Sequence, residues 1–163
     1  MMTNPTREKW DKIYSKSREQ VAAATTVVRE NLHLLPDSGV GMELACGLAA
    51  NSFAVAGQGC KMDAWDISPV AVEQVNQRAA AEGISVSAVA RDVVEQPPEP
   101  ARYDLVVVSH FLDRSIISSI INCLKPGGLV FYQTFSQTRV GESGPSNMAG
   151  GWCGANQICG SSV

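Results

Sequence analysis

The chain has 163 residues, 45% of them apolar and 18% charged, with a net charge of −3. That length suits one domain with a proper core, and the composition excludes a disordered chain. The acidic balance argues against a broad basic surface for nucleic acid, and no apolar run approaches the ~20 residues of a membrane span.

The N-terminal stretch MMTNPTREKWDK has no apolar core after its charges, so it does not read as a secretory signal. Trp10 and Tyr14, four apart and so one helical turn, read as core packing, with a lid over a site as the alternative. Ser17-x-x-Gln20 is a capping-box pattern. It predicts a helix through about Leu32 with Val21, Ala24 and Val28 on one face. His33 reads as helix-end packing, and residues 36–39 (Pro-Asp-Ser-Gly) as a turn.

Strands and helices then alternate. The first strand is 40–45, and a short helix begins near Asn51. The second strand is Lys61–Asp66. Ser68-Pro69 supplies an N-cap and a proline at the first helical position, and Gly83 stands where a C-cap glycine belongs. The third strand is 85–91, ending at Asp92. After a proline-rich loop comes a continuous apolar strand, Tyr103 to Val108, as expected where both faces are covered. A helix over 114–124 carries Ile116, Ile117, Ile120, Ile121 and Leu124. Pro126-Gly127 is placed for a type II turn, and the fifth strand is Leu129–Phe135. This alternation predicts an α/β fold, a doubly wound parallel sheet with helices on both faces.

In such sheets ligands bind beyond the carboxyl ends of the strands, near the switch in strand order. The polar residues there are Glu43, Asp66, Asp92, Ser109 and His110. Glu43 sits inside an apolar strand, where an unpartnered carboxylate is costly. Its partner is read as a ligand, against the plainer reading of a pairing lysine or arginine or of solvent. The small-residue run Ala45-Cys46-Gly47 would let that ligand approach the backbone. Asp66 is suited to a ribose diol, or else assists the next helix cap. Asp92 is suited to an adenine amino group, or forms an Asx-turn. His110 is either structural or catalytic. These acids suit a nicotinamide dinucleotide or S-adenosylmethionine. The loop Ala45-x-Gly47-x-Ala49 matches the dinucleotide glycine pattern poorly, and a carboxylate before it would repel pyrophosphate. S-adenosylmethionine carries a sulfonium, an ammonium and no phosphate.

The stretch Glu43 to Asn51 (ELACGLAAN) resembles the first motif of class I S-adenosylmethionine-dependent methyltransferases. Ala64 to Ala71 (AWDISPVA) resembles the second, Arg91-Asp92-Val93 the adenine-contacting stretch, Tyr103 to Ser109 the fourth, and Leu124 to Gly128 the turn before strand five. The order holds from about residue 38 to 135. Residues 10–14 (WDKIY) and the pair Trp65-Asp66 look most like small bacterial methyltransferases of the tellurite-resistance type.

The resemblance implies a Rossmann-like fold and a set of roles. Glu43, Ala45, Cys46 and Gly47 would hold the methionine end. Asp66 would take the ribose hydroxyls and Ile67 would pack on adenine. Asp92 would accept from the adenine amino group, and the Val93 backbone would bond a ring nitrogen. Ser109 and His110 would lie near the methyl group, with His110 as the catalytic candidate. The implied reaction is methyl transfer from S-adenosylmethionine to a small acceptor, with neither nucleic acid nor membrane as partner.

Two departures stand out. The family usually has glycine where Ala45 and Ala49 stand, and alanine fits poorly if either position needs positive φ. After a family-like turn at residues 144–147 (Gly-Pro-Ser-Asn) the pattern stops. The expected layout is a methyltransferase domain over 1–135, with N-terminal helices over 1–35 and a cofactor core over 38–135. An irregular glycine-rich tail over 136–163 would leave the C-terminal strands truncated and strand five an open edge. That edge would be available to a second copy in a homodimer. Five cysteines without framework spacing read as free thiols of a reducing cytoplasm. Cys153 and Cys159 are too few for zinc, and no metal is expected. The alternatives are a cofactor-binding or inactive remnant and, further off, a nicotinamide-dependent oxidoreductase.

Overall fold

The computed structural model describes residues 4–17, 22–135 and 155–161. The elements are α1 (Pro5–Ser15), α2 (Thr26–Glu30), β1 (Val40–Leu44), α3 (Ala50–Ala56), β2 (Lys61–Asp66), α4 (Pro69–Glu82), β3 (Val86–Ala90), β4 (Tyr103–Ser109), α5 (Ile117–Asn122), β5 (Leu124–Phe135) and β6 (Ala155–Ser161). They build one sheet in the order β3-β2-β1-β4-β5-β6. The first five strands run parallel, and β6 is antiparallel to β5. The fold is the expected α/β, Rossmann-like one.

Alternation along β4 explains the two-sided burial. Leu105 and Val107 belong to one core, with Phe53, Val75 and Phe131. Val106 and Val108 belong to the other, with Met42, Leu44, Trp65 and Ile120. Each such side chain contributes roughly 1.5–3 kcal/mol on burial. Glu43 is out of phase with Met42 and Leu44 in β1, so it faces the α3 layer. The order reverses between β1 and β4, and the switch point lies at their carboxyl ends.

The α4 boundaries follow their local signals. Ser68 Oγ accepts from the Ala71 N–H, Pro69 opens the helix, and Gly83 closes it at φ +65°. Among the described residues no helix is long and apolar enough to cross a membrane.

Three expectations are corrected. The helix from Ser17 to about Leu32 is not formed. Ser17 instead ends α1, donating its N–H to Tyr14 O and its hydroxyl to Ile13 O. Residues 22–25 are not helical, with Thr25 tied to Asn51. The short α2, rich in β-branched Thr26, Val27 and Val28, covers Thr26–Glu30 alone among the described residues from Ser17 to Leu32. Val21 of that expected face lies outside the described residues, as do the turn at 144–147 and Cys153.

The second correction concerns the start of β5, which begins at Leu124 and not at Leu129, so Leu124 belongs to the strand and not to the helix before it. The expected turn glycine, Gly127, does hold the positive φ of a type II turn. β4 and β5 pair Tyr103 with Leu124 and then Leu105 with Leu129. Lys125 to Gly128 therefore bulge out of an otherwise continuous strand, with Gly127 at φ +80°. Lys125 uses the excursion to reach Asp104 at 2.9 Å.

The third is the tail. Residues 155–161 form β6, which pairs with β5 from Phe135↔Ala155 to Leu129↔Ser161. The tail is not irregular there, and the β5 edge is covered. The sequence gives no alternation to mark this strand. The open backbone donors and acceptors of β5 need only an extended partner. The opening for a homodimer through that edge is removed with it.

Candidate active site

A cavity of about 800 Å³ opens at the carboxyl ends of the strands. Its floor is the turn from β1 to α3. Ala45, Gly47 and Ala49 alternate at φ +51°, +54° and +56°. The condition set by the two departures from glycine is met: both alanines hold the left-handed conformation, which costs roughly 1–2 kcal/mol for a residue with a Cβ.

Glu43 is buried beneath this turn, 1% exposed. Its partners are within the chain, which corrects the reading that a ligand is required. Ser52 donates its N–H and its hydroxyl to Oε2 at 2.9 and 2.6 Å. Asn51 Nδ2 donates to Oε1 at 2.9 Å. A carboxylate offers about four acceptor sites, so these bonds leave one on Oε1, and Glu43 lines the cavity. Burial pushes its carboxyl up to about 7, against the lowering effect of those same bonds.

Asp66 is placed differently. Gly47 N–H donates to Oδ2 at 2.8 Å and Ser68 N–H to Oδ1 at 2.9 Å. The carboxylate ties the β1–α3 turn to the start of α4, so the helix-cap reading holds for part of its role. Asp66 is the one expected site residue that is not among the cavity-lining residues. Burial raises its pKa.

The other expected residues, Ala45, Cys46, Gly47, Ile67, Asp92, Val93, Ser109 and His110, all line the cavity. Asp92 forms the Asx-turn, Oδ1 accepting from Val94 N–H at 3.0 Å, while still facing the cavity. Ser109 Oγ accepts from Asn51 Nδ2 at 3.1 Å. His110 sits at the rim with φ +56°, its N–H bonded to Gln133 O. Desolvation lowers its pKa, so the imidazole is neutral at pH 7.

Three further residues line the wall, of which only Asn51 was given no role by the sequence. Trp10 and Tyr14 stack at 5.7 Å and line the cavity; α1 buries no residue, so they are not core packing. A Cβ on Gly47 would lie 2.7 Å from Tyr14 Oη, so the tyrosine closes directly over the glycine backbone. α1 is held there by Ser68 Oγ donating to Asp11 and Gln74 Nε2 donating to Tyr14 O. The third is Asn51, whose amide makes four hydrogen bonds.

The electrostatics select a class of ligand. Among the described lining residues the acids are Glu43, Asp92, Glu95 and Asp113, and the one permanent cation is Arg91. The α3 N-terminus, which would otherwise attract a phosphate, spends its Ser52 N–H on Glu43. The site suits a cation and disfavours pyrophosphate.

A family model for methyltransferase domains matches residues 42–128. The chain belongs to this methyltransferase-domain family. S-adenosylmethionine is the cofactor of such a domain. The chain is also similar to solved structures. One is a candidate S-adenosyl-L-methionine-dependent methyltransferase from Methanococcus maripaludis, at 22% identity and a TM-score of 0.63, covering 81% of this chain and 66% of the other. Another, from work on converting a disulfide bond into a thioacetal group during echinomycin biosynthesis, has 21% identity and a TM-score of 0.66, covering 80% and 61%. TehB from Haemophilus influenzae has 23% identity and a TM-score of 0.57, covering 76% and 45%. At these identities the likeness establishes the fold. The chain thus spans between 45% and 66% of the length of these three structures. No curated protein sequence matches it.

Proposed function

We propose that the chain is an S-adenosylmethionine-dependent methyltransferase acting on a small acceptor. The observation that carries this is the cavity itself: it lies at the switch point, it is lined by acids, and its helix N-terminus is already capped by Glu43. Bound S-adenosylmethionine supplies an activated methyl group on a cationic sulfur. The remaining acceptor site of Glu43 and the turn from Ala45 to Gly47 hold the methionine end. Asp66 keeps that turn in place through Gly47 and retains acceptor capacity for the ribose hydroxyls. Ile67, Asp92 and the Val93 backbone form the adenine end.

Ser109 and His110 stand on the acceptor side. His110, neutral at pH 7, takes the proton of an acceptor that arrives protonated; general-base help of this kind contributes about 10²–10⁴-fold. The cavity walls orient the two reactants and exclude water, an effect of up to roughly 7–11 kcal/mol. Enclosure by Trp10 and Tyr14 favours a small acceptor. The free thiols Cys46, Cys60 and Cys123 fit a cytoplasmic location.

The test is turnover. The protein is incubated with methyl-labelled S-adenosylmethionine and, separately, small thiols, amines and phenols. Labelled product and S-adenosylhomocysteine are expected with one class. Release no faster than without protein, for every class and with the cofactor demonstrably bound, contradicts the enzymatic reading.

A further inference from the structure

We infer that Asn51 is a positioning residue that sets the geometry of Glu43 on the cofactor side and of Ser109 on the acceptor side through a single amide. The inference rests on the methyltransferase reading and extends it to a residue outside the resemblance-derived roles. Asn51 is 3% exposed. Thr25 donates its N–H and its hydroxyl to Oδ1 at 2.8 and 2.9 Å. Nδ2 donates to Glu43 Oε1 at 2.9 Å and to Ser109 Oγ at 3.1 Å. The whole hydrogen-bonding capacity of the amide is used.

The orientation of that amide is fixed by chemistry. A backbone N–H can only donate, so Thr25 must face the oxygen. With the oxygen committed to Thr25, the nitrogen faces Glu43 and donates to Oε1. Two consequences follow. The amide hydrogen on Glu43 favours its charged form, the form that attracts a cationic ligand. The other hydrogen occupies a lone pair of Ser109 Oγ, which leaves the serine proton free to donate into the cavity. Asn51 also latches the segment before α2 to β1 and β4, which join at the switch point.

The experiment compares the full chain with Asn51→Ala and Asn51→Asp. The second keeps an oxygen for Thr25 and has no N–H to give, so it retains the latch if the alanine variant does not fold. Two quantities are read: the titration midpoint of the Glu43 carboxyl, by carbon-13 NMR without cofactor, and the calorimetric affinity for S-adenosylmethionine at pH 8. In Asn51→Ala the midpoint is expected to rise by about one pH unit and the affinity to fall roughly tenfold, as loss of a charged hydrogen bond implies. In Asn51→Asp the new carboxylate facing Glu43 adds like-charge repulsion, so the midpoint rises further. A merely structural asparagine would leave the Glu43 midpoint in place. An unmoved midpoint or an unchanged affinity in a folded variant overturns the inference. If the unmodified protein binds no S-adenosylmethionine, the methyltransferase reading fails first and the role of Asn51 with it, whatever the midpoint does.

Discussion

Glu43 and Ser52 are joined twice, the Ser52 N–H and hydroxyl both donating to Glu43 Oε2 at 2.9 and 2.6 Å. A β-strand carboxylate thereby serves as the cap of the helix that follows it, since Ala49 at the N-cap position has no side chain that accepts. The same bonds take up the Ser52 N–H at the helix N-terminus and leave an acid beside the cavity, an arrangement that disfavours a phosphate there. One pairing thus decides both the local fold and the charge of ligand that the site favours.

The first prediction concerns stability against pH. The folded chain holds the Glu43 proton up to about pH 7, and the ordinary value is 4.5. Between these values the folded state binds more protons, so stability falls as pH rises, by about 3 kcal/mol at most. Asp66, also raised, acts with the same sign. His110, lowered by desolvation, acts with the opposite sign. The difference between the unmodified chain and Glu43→Gln isolates the first effect. Melting temperatures without cofactor from pH 5 to 8 are expected to fall less steeply in Glu43→Gln; parallel curves contradict the assignment.

The second prediction concerns the left-handed alanines. Ala45→Gly relieves φ +51° at a half-buried position. It is expected to stabilise by roughly 1 kcal/mol and to raise the melting temperature by about 2–4 °C. Gly47→Ala is expected to do the reverse, because its Cβ meets Tyr14 Oη at 2.7 Å. A lower melting temperature for Ala45→Gly counts against strain in this turn.

These positions show what the sequence could tell. The continuous apolar run of β4 and the Ser68-Pro69…Gly83 signals of α4 are local, and the structure follows them. The spacing of small residues after β1 marked the turn that floors the cavity. What was not legible depends on neighbours distant in sequence. Asn51 matters because β1 and β4 are adjacent, so that its amide reaches Glu43 and Ser109 together. β6 forms by backbone pairing and needs no side-chain pattern. The capping box at Ser17 was a valid local signal, overridden because that serine closes α1 instead.

The third prediction is that Asp66→Ala weakens S-adenosylmethionine binding by about 1.5–3 kcal/mol, the worth of charged hydrogen bonds. The loss comes through the Gly47 turn as well as through any bond to ribose. Calorimetry at pH 8 measures it. Unchanged affinity removes Asp66 from the site.

A fourth separates chemistry from binding. His110→Gln is expected to lower turnover by about 10²–10⁴-fold and to leave cofactor affinity within about threefold. Because desolvation favours the neutral imidazole, kcat at saturating cofactor in the unmodified chain is retained to a more acid pH than the ordinary histidine value of 6.5 would allow. Full turnover in His110→Gln excludes it as the base.

The most direct test of the central claim, that this acid-lined cavity receives a cationic nucleoside without phosphates, is calorimetric titration with S-adenosylmethionine and, separately, with NAD. The account predicts one-to-one binding of S-adenosylmethionine at pH 8, weakening as the pH falls below about 7 and Glu43 takes up its proton, and no heat from NAD. Silence from S-adenosylmethionine, or tighter binding of NAD, would contradict it.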